Sequence, residues 1–220
     1  MIRRAAAEAL GTALLLAVVV GSGIMGEKLA AGNAAVALLA NTIATAAGLF
    51  TLIMIFGPIS GAHFNPAVTL AGAVERALGW KDAAAYVLGQ FSGAFVGVLA
   101  AHAMFGLPLL QTSSHARGTW GELLGELIAT FGLLLTIRLT ARAPVAHVAA
   151  VVALWIAAAY WFTSSTSFAN PAVTFARSLT DTFAGIAPNH VIGFIAAQLA
   201  GAALALIAAR YLARPEGGER

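Results

Sequence analysis

Six long apolar runs, each ended by a short polar or turn-forming cluster, make up most of the 220 residues. Their lengths are near or above the roughly 20 apolar residues that a helix needs to cross a bilayer. The pattern predicts spans near residues 5–25, 35–57, 83–105, 120–139, 145–163 and 189–211. The breaks hold Gly26-Glu27-Lys28, Trp80-Lys81-Asp82, Pro108 to Arg117, Arg138 to Pro144 and Asp181 to Pro188. Two further pieces, 66–75 and 171–179, are too short to cross, and each starts with a proline. Proline is well tolerated at a first helical position, where its missing N–H has no intrahelical partner to lose. The expected fold class is therefore all-α transmembrane, with six spanning helices and two re-entrant half-helices. It forms a single domain over 1–220, with a polar cytoplasmic tail at 213–220.

Composition supports a polytopic membrane protein over a soluble domain with one anchor. The chain is 60% hydrophobic and 10% charged, against about 25% charged in ordinary soluble domains. The first apolar run shows no cleavage site leading into a polar region, so it reads as a span and not as a removed signal. Without cysteine, disulfides, thiolate metal sites and cysteine nucleophiles are excluded. The net charge of +3 implies no nucleic-acid partner, and the basic residues have a topological meaning instead. With the N-terminus inside, inner segments hold Arg3, Arg4, Arg76, Lys81, Arg138, Arg142, Arg210, Arg214 and Arg220, and outer segments hold only Lys28, Arg117 and Arg177. Nine against three predicts cytoplasmic N- and C-termini.

The two short pieces carry nearly the same sequence. Residues 65–71 are Asn-Pro-Ala-Val-Thr-Leu-Ala and residues 170–176 are Asn-Pro-Ala-Val-Thr-Phe-Ala. The duplication extends to Glu8-x-x-x-Thr12 with Glu126-x-x-x-Thr130, and to Gln90-Phe-Ser-Gly-Ala with Gln198-Leu-Ala-Gly-Ala. Three spans per half place the halves, about 5–105 and 120–212, in opposite orientations as an inverted repeat. Half-helices entering from opposite faces would meet near the midplane. There, unpaired N–H groups and partial positive charge at each N-terminus would surround a central path. Asn65 and Asn170 would cap those ends and offer amide N–H groups to a solute. Neutral hydrogen-bonding solutes could cross such a path, while cations would meet a barrier.

Glu8 and Glu126 lie within or near spans, where ionisable residues flag function. They would serve either as hydrogen-bond acceptors for the motif loops or as proton-coupling groups. His63, two residues before Asn65, would contact solute or brace its loop. Gly89, Gly93 and Gly97 form a small-xxx-small face for close helix packing. His102, His115, His147 and His190 have no metal-ligand spacing. No nucleophile–base pair or cofactor fingerprint is visible, so the expectation is a non-enzymatic protein with no cofactor or metal.

Ser60 to Thr69, with the second Asn-Pro-Ala (Asn170, Pro171, Ala172) and the paired glutamates, resembles the aquaporin and aquaglyceroporin family over nearly the whole chain. The first Asn-Pro-Ala is Asn65, Pro66 and Ala67. The resemblance implies a right-handed aquaporin-like bundle in the lipid bilayer, a pore in each subunit of a homotetramer, and passive movement of small uncharged solutes. Most members place an arginine three residues after the second Asn; here that residue is Val173. The other constriction positions, carried over by spacing, are Thr45, Ala158 and Ser167. With no charged or aromatic side chain among these four, a widened aperture is expected. Arg177, one helical turn past Val173, would put a charge in the outer vestibule, or else snorkel or tie down the outer loop. The segment 168–178 resembles bacterial aquaglyceroporins associated with arsenic-resistance operons. That implies the bacterial inner membrane and trivalent metalloid hydroxides, arsenite and antimonite, as solutes. Glycerol or water conduction is the alternative within the channel class. A proton-coupled secondary transporter is the alternative outside it.

Overall fold

A computed structural model describes residues 1–213 and contains eight helices over that range. They are α1 (Ile2–Leu29), α2 (Ala34–Ser60), α3 (Pro66–Val74), α4 (Trp80–Met104), α5 (Trp120–Thr140), α6 (Val145–Phe162), α7 (Pro171–Arg177) and α8 (Pro188–Leu212). Six are long and apolar enough to cross a membrane, and the short α3 and α7 are not among them. The tail residues 214–220, with Arg214 and Arg220, lie outside the described range.

Several polar clusters expected to break spans sit inside them. Glu27 and Lys28 occupy the last turn of α1, and Lys81 and Asp82 the first turn of α4. Helical backbone satisfies its own hydrogen bonds at a membrane face as well as in the apolar interior, so charge at a helix end does not terminate it. The caps set the boundaries better. The Asn33 side chain accepts from the N–H groups of Ala35 and Val36 at the start of α2. Thr119 and Glu122 form a reciprocal capping box at the start of α5.

Burial is inverted relative to a soluble protein. Ile43, Leu88, Val96, Leu154, Ile192 and Ile207 face outward, where lipid would solvate them. Glu8, Gln90, Glu126 and Gln198 are fully buried. In each half a pair of helices packs tightly, α1 on α4 and α5 on α8, while α2 against α6 joins the halves. Glycine sets the first of these approaches. A Cβ at Gly93 would strike the Ala9 carbonyl, and one at Gly97 the Ala13 carbonyl. Gly201 repeats the device, with its missing Cβ directed at the Leu127 carbonyl. Close backbone contact of this kind is how membrane helices gain dispersion energy without a hydrophobic driving force. The short α3 and α7 fill the space between, each packed on α4 or α8 and on one another.

Candidate functional site

The loops that precede α3 and α7 carry the matched chemistry. Ala62 and Phe64 have φ of 49° and 48°, and their counterparts Ser167 and Ala169 have 51° and 49°. Each such left-handed non-glycine residue costs about 1–2 kcal/mol. A buried carboxylate offsets that cost in both halves. Glu8 accepts from the backbone N–H of His63 at 3.0 Å and of Phe64 at 2.6 Å, from Ser60 Oγ at 2.6 Å and from Gln90 Nε2 at 2.8 Å. Glu126 accepts from the N–H of Phe168 and of Ala169, each at 2.8 Å, and from Gln198 Nε2 at 2.6 Å. Gln90 also donates to Thr69 at 2.9 Å and Gln198 to Thr174 at 2.8 Å, tying the brace to each half-helix. Both glutamates therefore have their oxygens committed to fixed donors.

The two asparagines close the centre. Asn65 Oδ1 accepts from Ala67 N–H at 2.9 Å, and Asn170 Oδ1 from Ala172 N–H at 2.9 Å and Val173 N–H at 3.3 Å. Their amides then cross over. Asn65 Nδ2 donates to the Ala169 carbonyl and Asn170 Nδ2 to the Phe64 carbonyl, both at 2.8 Å. An amide has two N–H bonds, so one on each asparagine remains for a solute. Pro66 and Pro171 occupy N1 of the half-helices, and Ala67 and Ala172 are fully buried behind them.

A cavity of about 210 Å³ runs past this junction, with Arg4 and Arg138 toward one mouth and Arg177 toward the other. Its apolar wall comes from stripes at i, i+4, i+8: Thr45, Leu49 and Ile53 on α2, and Val148, Val152, Ile156 and Tyr160 on α6. Thr45, Ser167 and Val173 line it, as do Asn65, Asn170, His63 and Arg177.

Ala158 does not line the cavity. It is exposed on the outer surface of α6, and Tyr160 takes the place beside Thr45, its hydroxyl donating to Thr45 Oγ1 at 3.3 Å. Two residues along a helix turn a side chain through about 200°, so a slip of two in the count exchanges the pore face for the lipid face. The expectation of a ring without an aromatic member falls with it. The stripe from Val148 by fours leads to Tyr160 and was available in the sequence.

His63 Nδ1 lies 3.1 Å from Thr69 Oγ1, and the ring meets Tyr86 edge-on at 5.5 Å. Phe168 is its counterpart in the second half, edge-on to Phe194 at 5.1 Å. Arg177 is buried, with 2% of its surface exposed, so it does not snorkel. Its Nε donates to the Ala184 carbonyl, its guanidinium lies 3.4 Å above the Phe168 ring, and Nη1 has no hydrogen-bond partner among the described residues. It therefore both ties down the loop that follows α7 and lines the cavity. Arg117, in the loop before α5, donates to the carbonyls of Gly185 at 2.8 Å and Ser165 at 3.2 Å and lies 5.3 Å from the same ring. Burial lowers the Arg117 pKa from its ordinary value, yet a guanidinium keeps its charge at neutral pH. Among the described residues no cluster of acidic, histidine or cysteine side chains has metal-holding geometry.

Comparison with known proteins gives a concordant picture. The profile of the family described as "Major intrinsic protein" matches residues 1–163. Aquaglyceroporin AqpS of Rhizobium meliloti (strain 1021) is 53% identical over 213 residues, covering 97% of this chain and 91% of the relative. Aquaporin TIP1-2 of Zea mays is 31% identical, covering 93% and 84%. Among solved structures, the aquaglyceroporin from Plasmodium falciparum superposes with a TM-score of 0.77 at 19% identity, over 96% of this chain and 97% of that one, a likeness of fold. The chain is a multi-pass membrane protein that belongs to the major intrinsic protein family, a channel for small solutes and not an enzyme.

Proposed function

We propose that the cavity is a passive pathway for small uncharged hydroxylated solutes, with As(OH)₃ and Sb(OH)₃ as its principal cargo. Val173 at the cavity wall carries this reading. A valine there leaves an apolar, uncharged surface where most relatives have an arginine, and with Ser167 it leaves one side of the constriction lined by small side chains. Tyr160 faces them, so the widening rests on Val173 and Ser167 alone. Trivalent metalloid hydroxides are neutral near pH 7 and need width with a few hydrogen-bond partners. The asparagine amides and the Thr45, Tyr160 and Ser167 hydroxyls supply such partners.

Glycerol and water are the second reading, favoured by the polyol-sized cavity and by the name of the AqpS relative. The family resemblance and the arginine distribution support cytoplasmic termini, a bacterial inner membrane and a homotetramer. Proton-coupled transport is disfavoured by the full hydrogen-bond commitment of Glu8 and Glu126. The test is arsenite movement into vesicles containing purified protein. Flux above that of protein-free vesicles, only down its gradient and unchanged by a proton gradient, is the expected result. Flux equal to that of protein-free vesicles overturns the metalloid reading, and uphill accumulation overturns the channel.

A further inference from the structure

Three polar atoms of cavity-lining residues are buried without a partner among the described residues: Ser167 Oγ, Arg177 Nη1 and Arg138 Nε. Arg138 is neutralised by Glu75 at 2.7 Å, which leaves the pair at the α7 end, Ser167 and Arg177, unexplained. Both residues are 2% exposed. A buried donor without a partner is a standing cost, and a buried guanidinium with no carboxylate beside it costs more. Among the described residues, the salt bridges are Arg4–Asp82, His115–Asp181 and Arg138–Glu75, and none includes Arg177. Its position is fixed all the same. The Nε bond to the Ala184 carbonyl and the stack on Phe168 hold the group, while Ile186 N–H donates to the Arg177 carbonyl at 3.2 Å. Such fixing leaves Nη1 pre-oriented and unsatisfied next to the path.

We infer that Ser167 and Arg177 form a solute-binding subsite for neutral molecules with two or more hydroxyl groups, and that Arg177 adds a second cation barrier to that of the half-helix N-termini. The channel thereby keeps a fixed positive charge despite valine at position 173. Four residues along α7 place Arg177 on the face of Val173, about 6 Å farther from the asparagines. The charge is thus moved along the path and not lost. That displacement leaves the narrow ring free of charge while cations still meet a guanidinium. One solute oxygen accepts from Nη1 while another hydroxyl pairs with Ser167. Phe168 holds the guanidinium on its face, and Arg117 on the same ring raises the local positive potential.

The inference deepens the proposed pathway for hydroxylated solutes but does not need metalloid selectivity, so it is tested with glycerol, water and a proton leak. In vesicles of purified protein under a potassium diffusion potential, Arg177→Gln keeps an N–H for Ala184 and removes the charge. Proton leak is expected to rise about tenfold, and glycerol flux to fall relative to water flux. Arg177→Lys should return the leak toward wild type. Arg177→Gln protein that reconstitutes with unchanged leak and glycerol flux would show that the residue only holds the loop, and the barrier idea would be overturned. Because Arg177 also anchors that loop, Ser167→Ala supplies a separate arm, since its hydroxyl has no hydrogen-bond partner among the described residues. Glycerol flux is expected to drop severalfold relative to water flux; an unchanged ratio of the two overturns the subsite.

Discussion

The loops before α3 and α7 share one backbone device and differ in what they show to the path. Each has left-handed residues at matching positions, a glutamate receiving its N–H groups, a glutamine–threonine brace and an asparagine reaching across. Beyond that scaffold they diverge. The α3 side shows His63 against Tyr86, and its cavity-lining arginines are paired, Arg138 with Glu75 at 2.7 Å and Arg4 with Asp82 at 3.6 Å. The α7 side shows Phe168 against Phe194, with Arg177 buried and outside any ion pair among the described residues. Paired charges largely cancel at a distance, whereas the unpaired Arg177, with Arg117 on the same ring, projects a net positive field along the pore. The duplicated elements thus build the channel, and the differing side chains make its two ends chemically unlike.

The comparison breaks most severely at the shared glutamates. Glu8→Ala and Glu126→Ala each leave two buried N–H groups unpaired at about 1–3 kcal/mol apiece, and the glutamine loses its acceptor too. A loss of about 3–5 kcal/mol is expected for each, read as reduced midpoints in thermal unfolding of the detergent-solubilised protein. Glu8 also receives Ser60, so its variant should be the less stable of the two. Equal stability of both variants and wild type would refute the brace.

A moderate effect is expected at the helix contacts. Gly93→Ala and Gly201→Ala push a Cβ against a facing carbonyl in their respective halves. Each should cost about 1–3 kcal/mol, with matched losses in the same unfolding measurement. A large cost in one half only would show that the halves are not packed alike.

The smallest effect belongs to the loop between α4 and α5. Asp181 accepts from Ser114 N–H at 2.8 Å and from Ser114 Oγ at 2.9 Å, and these bonds with nearby His115 hold its carboxyl below the usual range. A depressed folded pKa stabilises the loop above the unfolded value, near pH 4 or about 3.9, and that contribution is lost as pH falls through the folded one. Protease protection of residues 108–118 should hold steady from neutral pH to about pH 5 and weaken only below about pH 4. Asp181→Asn should show a weaker bond at neutral pH and no such acid step.

Much of this was legible in the chain because membrane solvation leaves few options. Apolar length gave the six spans, and two matched Asn-Pro starts gave the half-helices at 66 and 171. Helix ends were read less well, since Glu27 and Lys81 signal polarity without saying whether the backbone has stopped. The central crossing was not legible: nothing in sequence shows that Asn65 bonds to Ala169 and Asn170 to Phe64. Nor did spacing reveal that Arg177 lies on Phe168, a contact made by the return of the chain through Ala184. Ala158 was misplaced because counting back from Asn170 assumed no irregularity in the 163–169 loop, where Thr166, Ser167 and Ala169 have positive φ. The i, i+4 stripe on α6 was the better guide, because it follows the helix face itself.

The most direct test of a metalloid-sized pore is flux of arsenite, glycerol and water measured side by side in vesicles of wild type and Val173→Arg. Restoring an arginine at the constriction should cut arsenite and glycerol movement by about tenfold and water much less. Equal loss of all three, or no loss of any, would contradict Val173 as the residue that sets what passes.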